Sequence, residues 1–391
     1  MTKLISEEAK DDLLGRGYSR RQMMRAAMMF SGAAAATAFT LSPEMAVAQQ
    51  DLASAKVRIG QNECWTGPMP PGAAAAAAAI PVSNRYSPND EQGKLVKAIS
   101  QIENVPEDHI MTWPGSNEAL ARSVVAFCSP TKSLVQADPS YETCGRAAKF
   151  LNVPIKNVPL TADYRHDVKA MAAADPNAGV MYVVNPNNPT GTMTPNAEIE
   201  WIVANKPAGS VVVIDEAYIH WTSAYPNNTT SHLAAAGKDV LIMRTFSKIF
   251  GMAGMRIGYT MGRPDLLAKL RLHDGGALSR QLPVPSAACA TASLGDKATF
   301  ASRRKTLVEN RAMTVDFLTK RGLKLIGPSE ANMLMIDWKT KTAKEMQAAF
   351  RAQGVEIARV FPTWPTVSRI SIGSKQDMEG FFSAFNKIVQ A

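Results

Sequence analysis

A lysine lies among hydroxyl and guanidinium groups in the segment from residue 244 to residue 256. Lys248 follows Thr245 and Ser247, and Arg256 comes after a glycine-rich stretch. An amine can bond an aldehyde, while hydroxyls and a planar guanidinium can bind a phosphate. Together these groups predict a site for pyridoxal phosphate. Taken alone, the segment has an alternative interpretation as a glycine-rich surface loop.

Further polar segments follow short apolar runs that predict buried parallel strands. Asp215 and Tyr218 follow residues 211–214, and Asn188 follows residues 180–184. Ligands of open α/β sheets bind at the carboxyl ends of strands, so we expect these side chains to face the lysine. Asp215 would keep the cofactor's ring nitrogen protonated, while Tyr218 and Asn188 would donate hydrogen bonds to its phenolic oxygen. A helix N-cap is the alternative role for Asp215.

A loop entering a helix is predicted at residues 114–120. The free N–H groups and the positive dipole end at the start of a helix suit a phosphate. The apolar strands alternate with helical segments, which is the pattern of a doubly wound sheet.

Seven short motifs follow one another in a fixed order. They are GSNE at 115–118, PSY at 139–141, NPNNPTG at 185–191, DEAY at 215–218, TFSK at 245–248, GMAGMRIG at 251–258 and RISIG at 369–373. In this order they resemble the fold-type I aminotransferases, and most closely their histidinol-phosphate aminotransferase branch. The resemblance covers about residues 56–391. It implies an α/β fold with a large, doubly wound, mostly parallel sheet domain and a smaller C-terminal α/β domain.

The resemblance also implies an activity and a role for each matching residue. The enzyme would move an amino group from an L-amino acid or related amine to a 2-oxo acid, by a ping-pong exchange on pyridoxal phosphate. Lys248 would be the Schiff-base lysine and proton carrier, assisted by Asp215 and Tyr218. The cofactor contacts would be Ser116, Asn117, Tyr141 (stacked on the ring), Asn188, Asp215, Tyr218, Thr245, Ser247, Lys248, Arg256 and, from the neighbouring subunit of a homodimer, Tyr86.

The substrate side combines one match with the family and one departure from it. Arg369, in the RISIG motif, would bind the substrate's α-carboxylate beside Asn188; a surface salt bridge is the alternative. The family's usual Asn-Glu-Asn-Pro is Asn-Glu-Cys-Trp here, which places Cys64 and Trp65 where substrate should enter. With Trp364 near Arg369, this favours an apolar or aromatic substrate side chain over a phosphate. Simple packing is the alternative role for the tryptophans.

The first fifty residues predict export. Residues 19–25 (SRRQMMR) resemble a twin-arginine signal, an apolar stretch follows at 26–41, and Ala46-Val47-Ala48 forms a small-x-small cleavage site. We expect the twin-arginine machinery to carry the folded protein to the periplasm, with cleavage after Ala48 and no stable membrane association afterwards. An uncleaved N-terminal membrane anchor is the alternative. We expect four segments: the signal (1–48), an N-terminal arm (49–85), a large cofactor-binding domain (86–272) and a small domain (273–391).

The composition of the chain limits which partners and cofactors we expect. The four cysteines and five histidines show no spacing typical of a metal site, so we expect no metal. The net charge of +9 suits small anionic molecules, but no basic helix is interleaved with aromatic residues, so we expect no nucleic acid partner. Two other functions stay open. The same site could support an oxidase, racemase or lyase outcome, and an exported ligand-binding protein without turnover is the non-enzymatic alternative.

Overall fold

The computed structural model describes residues 5–30, 55–274 and 281–390. In chain order the strands are β1 (Val57–Arg58), β2 (Ile110–Trp113), β3 (Ser133–Asp138), β4 (Ile155–Pro159), β5 (Ala178–Val184), β6 (Val211–Asp215), β7 (Val240–Thr245), β8 (Gly258–Gly262), β9 (Lys324–Leu325), β10 (Met333–Asp337), β11 (Val355–Glu356) and β12 (Val367–Ser371). The helices are α1 (Glu7–Gly15), α2 (Arg20–Phe30), α3 (Pro70–Ala79), α4 (Glu91–Glu103), α5 (Ser116–Phe127), α6 (Thr143–Leu151), α7 (Val168–Ala173), α8 (Asn196–Asn205), α9 (Ser231–Ala235), α10 (Pro264–Arg271), α11 (Val284–Leu294), α12 (Lys297–Thr319), α13 (Ala343–Ala352) and α14 (Lys375–Gln390).

A seven-stranded sheet forms the centre of the large domain. Its strand order is β2-β8-β7-β6-β5-β3-β4, and β8 runs antiparallel to the other six strands of this sheet. Strand β6 is buried along its whole length, which explains its uninterrupted apolar sequence. Val211 and Val213 pack into the apolar core on one face, while Val212 and Ile214 pack into the core on the other. The predicted large, mostly parallel sheet is confirmed.

The C-terminal part contains a second sheet. Strands β12, β10 and β9 pair antiparallel in that order. The predicted arm strand at 56–60 is shorter than expected, because only Val57 and Arg58 pair, in parallel with Val355 and Glu356 of β11. This pairing attaches the beginning of the arm to the C-terminal part of the chain. The expected domain boundaries stay a prediction.

The alanine run of the arm forms helix α3, as its composition predicts. This helix packs closely against α11. A Cβ atom at Gly72 would lie 2.1 Å from the Ser293 hydroxyl and 2.8 Å from the Cys289 carbonyl, so the close approach of the two helices requires a glycine there.

The N-terminal segment packs on the outside of the large domain. Leu13, Tyr18 and Ala26 are buried in the core on the face of the sheet that also carries α5, α6 and α10. Residues 31–48, with most of the predicted apolar stretch and the cleavage site, lie outside the described residues. Of the helices within 5–30, 55–274 and 281–390, none has the length and apolar character to cross a membrane.

All four cysteines are free thiols. Cys128, Cys144 and Cys289 are buried, and Cys64 is partly buried. Burial raises the pKa of Cys128 to about 12, so this thiol stays protonated and behaves as a small apolar side chain. Within the three described ranges no group of His, Cys, Asp and Glu side chains is arranged to hold a metal ion.

Candidate active site

The polar motifs meet at one edge of the large sheet. Strands β5, β6 and β7 run parallel and end at Val184, Asp215 and Thr245. Because parallel strands place their carboxyl ends at the same edge, the loops that follow them converge. They line a cavity of about 650 Å³, together with the start of α5 and Arg369 of β12.

Asp215 lies buried among these loops, with 2% of its surface exposed. One carboxylate oxygen accepts a hydrogen bond from the Tyr182 hydroxyl at 3.0 Å, and the other accepts from the Ala217 backbone N–H at 3.1 Å. Burial raises the pKa of Asp215 to about 6, although these two hydrogen bonds and the nearby Lys248 oppose the rise. A cationic ring nitrogen in the cavity would supply the partner that favours the charged form. This geometry excludes the alternative role as a helix cap.

The Lys248 amine lies beside Tyr218. Its Nζ atom donates a hydrogen bond to the Asn62 carbonyl oxygen at 3.2 Å and lies 5.1 Å from the centre of the Tyr218 ring. The Tyr218 hydroxyl accepts hydrogen bonds from the Asn62 amide at 3.0 Å and from the Asn188 amide at 3.4 Å. Lys248, Tyr218 and Asn188 therefore form one cluster, as the sequence predicts.

Asn62 is the member of this cluster that the sequence analysis missed. It is 1% exposed and has a positive φ of 54°, which asparagine tolerates better than most residues. Its side-chain oxygen also accepts a hydrogen bond from the Ser371 hydroxyl at 2.9 Å. Asn62 is the first residue of the Asn-Glu-Cys-Trp segment. Only the last two residues of this segment, Cys64 and Trp65, depart from the family's sequence, but it is the first residue that contacts Lys248.

A second group of donors surrounds the start of α5. Arg256 has a φ of 52° and donates a hydrogen bond to the Ser247 hydroxyl at 3.4 Å, while the Thr245 hydroxyl donates to Ser247 at 2.9 Å. A Cβ atom at Gly115 would lie 2.0 Å from an Arg256 guanidinium nitrogen, so the guanidinium can approach the helix start only because residue 115 is glycine. Helix N–H groups, two hydroxyls and a guanidinium form an arrangement that suits a phosphate.

The remaining predicted cofactor residues divide into two groups. Ser116, Asn117 and Tyr141 line the cavity, and the Tyr141 hydroxyl donates a hydrogen bond to the Asn117 side chain at 3.0 Å. Tyr86 lies away from this cavity and is 83% exposed. In this chain Tyr86 therefore has the exposure needed to reach a neighbouring subunit, and its assignment stays a prediction.

Arg369 lies on β12 and lines the cavity. It donates hydrogen bonds to the Asn188 side-chain oxygen at 2.7 Å and to the Gly60 carbonyl at 2.6 Å. Its Nε atom is buried and has no hydrogen-bond partner among the described residues. Burial lowers the pKa of Arg369, but a guanidinium stays charged at neutral pH. The side chain is thus a fixed cation with donor capacity left for an anion, and the alternative as a surface salt bridge is wrong.

Cys64 and Trp65 lie elsewhere than expected. Neither lines the cavity. The Trp65 ring stacks on Trp221 with 5.7 Å between the ring centres, and Trp364 packs edge-on against Tyr164. The structure favours the alternative role of simple packing for these tryptophans, because their rings contact neighbouring aromatic rings and do not line the cavity. The substrate-binding role of Cys64 and Trp65 stays a prediction without support from the cavity.

The cavity fits the cofactor that the sequence predicts. It combines an amine, a buried carboxylate with a raised pKa, two amide donors and a phosphate cradle that depends on Gly115. These are the groups that an aldehyde, a ring nitrogen, a phenolic oxygen and a phosphate require.

Comparisons with known proteins identify the family of the chain. The family described as aminotransferase class I and II matches residues 54–385. The chain is 30% identical to a histidinol-phosphate aminotransferase of Moorella thermoacetica over 339 residues, which cover 85% of each chain. It is 30% identical to an aromatic amino acid aminotransferase of Nocardia farcinica over 330 residues, 83% of this chain and 89% of the relative.

Solved structures share the fold. A histidinol-phosphate aminotransferase of Sinorhizobium meliloti in complex with pyridoxal-5′-phosphate has a TM-score of 0.78 and 24% identity, with 90% of this chain and 96% of that chain covered. The N-succinyldiaminopimelate aminotransferase of Mycobacterium tuberculosis has a TM-score of 0.77 and 22% identity, with 88% and 96% covered.

Proposed function

Because the chain belongs to the class I and II aminotransferases and is a pyridoxal-phosphate-dependent enzyme, we propose that it exchanges the amino group of an L-amino acid of the aromatic type with a 2-oxo acid. The observation that carries this proposal is the position of Arg369. Arg369 contacts Asn188, and Asn188 contacts Tyr218, which lies beside the Lys248 amine. The Arg369 Nε atom has no hydrogen-bond partner among the described residues, so a carboxylate bound there would have its neighbouring amine-bearing carbon on the side of the lysine. Relatives named as aromatic amino acid aminotransferases support the choice of side chain.

The chain's own residues then have distinct tasks. Arg369 binds the carboxylate and thereby fixes the orientation of the α-carbon. Lys248 would take the proton from that carbon through its Nζ atom, which the Asn62 carbonyl holds in place by a hydrogen bond. Asp215 would keep the ring nitrogen protonated, and Tyr218 and Asn188 would bind the phenolic oxygen. When bound, pyridoxal phosphate supplies the carbonyl that receives the amino group and the ring that withdraws electrons.

The absorption spectrum of the purified enzyme tests this proposal. We expect the visible band of the lysine-bound cofactor to disappear when aromatic L-amino acids are added without a 2-oxo acid, and to return when a 2-oxo acid follows. Histidinol phosphate, aliphatic amino acids and D-amino acids complete the panel. Peroxide release, racemised substrate or bleaching only by histidinol phosphate would each contradict the proposed reaction or its substrate class. Lys248→Ala is expected to show no lysine-bound band.

Arg369→Lys tests the carboxylate contact. A lysine keeps the charge but cannot form two parallel hydrogen bonds, so we expect KM for both amino acid and 2-oxo acid to rise about tenfold or more. Arg263→Lys, on the surface, is the control and should leave KM unchanged. Equal KM values for Arg369→Lys and the unaltered enzyme would exclude this arginine as the carboxylate site.

We also propose that the enzyme acts in the periplasm after export by the twin-arginine machinery. Arg20 and Arg21 begin α2 and are exposed, as a recognised pair must be. The route carries folded proteins, so the cofactor would be bound beforehand. Fractionation of cells and the mass of the mature protein test this proposal. We expect a periplasmic protein that begins at Gln49, and export should stop when both arginines become lysine.

A further inference from the structure

The N-terminal segment is held to the large domain by hydrogen bonds as well as by apolar contacts. Arg16 donates to the carbonyl oxygens of Val125 at 2.8 Å, Ala126 at 3.1 Å and Cys128 at 3.0 Å. The Tyr18 hydroxyl donates to the Cys128 carbonyl at 2.8 Å. Carbonyls at the C-terminal end of a helix have no partner within the helix, so Arg16 and Tyr18 satisfy groups that α5 leaves open.

Helix α2 connects the N-terminal segment to the large domain at a second place. The Gln22 amide donates to the Leu151 carbonyl at 2.9 Å, and Arg25 donates to the Phe150 carbonyl at 3.1 Å. These two carbonyls lie at the C-terminal end of α6. Ala26 and Ala27 are buried, and Ala26 packs into the apolar cluster of the large domain. Two helix ends of the large domain are thus covered by one continuous N-terminal segment.

The surface that receives this segment exists only in the folded domain. It is built from α5, α6 and α10, which are far apart in the sequence. Leu13 and Tyr18 share an apolar cluster with Leu120 of α5, Leu151 of α6 and Leu270 of α10. Asp12 also lies 2.9 Å from the ring of His273, just beyond α10. An unfolded domain offers none of these contacts together.

The contacts divide the predicted signal into an accessible and a covered part. Arg20 and Arg21 are exposed, whereas Ala26 and Ala27, at the start of the apolar stretch, are buried. A receptor can reach the arginine pair without disturbing the fold. It can bind Ala26 and Ala27 only after α2 has left the domain.

We propose that the surface of α5, α6 and α10 is a docking surface for residues 5–30 of this chain, which keeps the export signal closed on the folded domain until the export machinery displaces it. This inference rests on the proposed twin-arginine export. It adds an intramolecular contact that controls when the signal becomes available. Cleavage after Ala48 would leave the surface bare on the mature enzyme.

Hydrogen exchange on the purified full chain tests the docking itself. Helices of nine and eleven residues are marginal in water, so slow exchange in 5–30 reports docking. We expect Arg16→Ala combined with Tyr18→Phe to speed exchange in this segment about tenfold or more. Leu13→Asp should act in the same way through the apolar contact. Lys10→Ala is the matched control and should change nothing, since among the described residues the Lys10 side chain donates a hydrogen bond to Glu7 of its own helix and not to the large domain.

We call Arg16→Ala with Tyr18→Phe, and Leu13→Asp, the release variants. The docking surface would be overturned if hydrogen exchange in residues 5–30 were unaltered in both release variants. It would also be overturned if these residues of the unaltered protein exchanged as fast as an unfolded peptide. Absorption of the bound cofactor shows that the rest of each variant is folded.

Pulse-chase labelling in cells tests the control of export. We expect a shorter lifetime of the uncut precursor for the release variants and an unchanged lifetime for Lys10→Ala. An unchanged lifetime in variants whose segment exchanges rapidly would overturn that control.

The paired variant Arg20→Lys, Arg21→Lys separates this inference from the proposed export route. If export continues in that variant, the twin-arginine proposal fails, and the control of export fails with it. The hydrogen-exchange result on the purified chain still decides the docking surface.

Discussion

At the scale of single residues, Asn62 joins parts of the site that lie far apart in the sequence. Its backbone oxygen holds Lys248, its amide holds Tyr218, and its side-chain oxygen holds Ser371 of the C-terminal sheet. These three contacts hold Asn62 in place. Its amide therefore donates to the Tyr218 hydroxyl from a fixed position and orients the tyrosine. We therefore regard Asn62 as a positioning residue for the proton carrier and for the tyrosine.

Asn62→Gly is the substitution that tests this role, since glycine accepts the positive φ without strain. Loss of the amide donor should weaken the orientation of Tyr218 and raise the pKa of the lysine-bound cofactor by up to about one unit. A titration of the absorption band against pH measures the shift. Asn104→Gly is the matched control, because Asn104 also has a positive φ of 53° but lies outside the cavity. Identical titrations of Asn62→Gly and Asn104→Gly would show that Asn62 is merely structural.

Asp215 gives the cofactor-free protein a distinctive pH dependence. Its folded pKa of about 6 lies above the ordinary value of 3.8, mainly because of burial. The folded state therefore binds the proton more tightly, so the contribution of Asp215 to stability falls as pH rises from about 4 to about 6. Asp215→Asn cannot ionise. We expect its advantage in unfolding midpoint over the unaltered protein to grow across that window and then to level off, and a constant difference would contradict the raised pKa.

At the scale of elements, one buried cation joins the two strands that carry the catalytic motifs. Arg244 donates to Glu216 at 2.8 Å and to Glu103 at 3.0 Å, and the Tyr259 hydroxyl donates to Glu103 at 2.7 Å. Glu216 follows Asp215, and Arg244 precedes Thr245. The network therefore holds the ends of β6 and β7 next to each other. Asp215 lies at the end of β6, and Thr245, the first of the predicted phosphate donors on this segment, lies at the end of β7.

Arg244→Met should lower the free energy of unfolding by about 3–5 kcal/mol, because Glu216 and Glu103 would be left buried without their cation. Arg263→Met is the matched control. Arg263 pairs with Asp239 and Asp265 at the surface, and exposed pairs contribute only about 0–1 kcal/mol. Urea unfolding of the two variants measures the contrast, and equal losses would show that burial does not govern the network.

At the scale of the whole molecule, the C-terminal part closes over the cavity from one side. Arg369 reaches Asn188, Thr363 donates to Asp138 at 3.1 Å, and Arg359 pairs with Glu142 at 2.6 Å. Tyr86 does not line the cavity and is exposed. We propose that a second copy of the chain covers Tyr86 and receives its hydroxyl at the cofactor phosphate.

Light scattering on the purified protein should give about twice the chain mass of 42.1 kDa. Tyr86→Phe is expected to weaken cofactor affinity about tenfold, because one hydrogen bond to a charged phosphate is lost. Tyr164→Phe is the control, since Tyr164 lies outside the cavity. A monomer, or an affinity unchanged in Tyr86→Phe, would contradict the shared site.

The sequence by itself determined the fold class, the cofactor and the core of the site. Those features depend on short apolar strands and on the polar residues that follow them, and parallel strands bring such residues to one edge whatever the rest of the chain does. Lys248, Asp215, Tyr218 and Asn188 were predictable for that reason.

Only the tertiary structure decided what surrounds this core. Asn62 meets Lys248 across 186 residues, and Arg369 meets the Gly60 carbonyl across 309. Trp65 packs on Trp221 instead of lining the cavity, and residues 5–30 cover the ends of α5 and α6. Each of these contacts joins elements whose relative position depends on the packing of the whole molecule, and no local pattern of residue types encodes it.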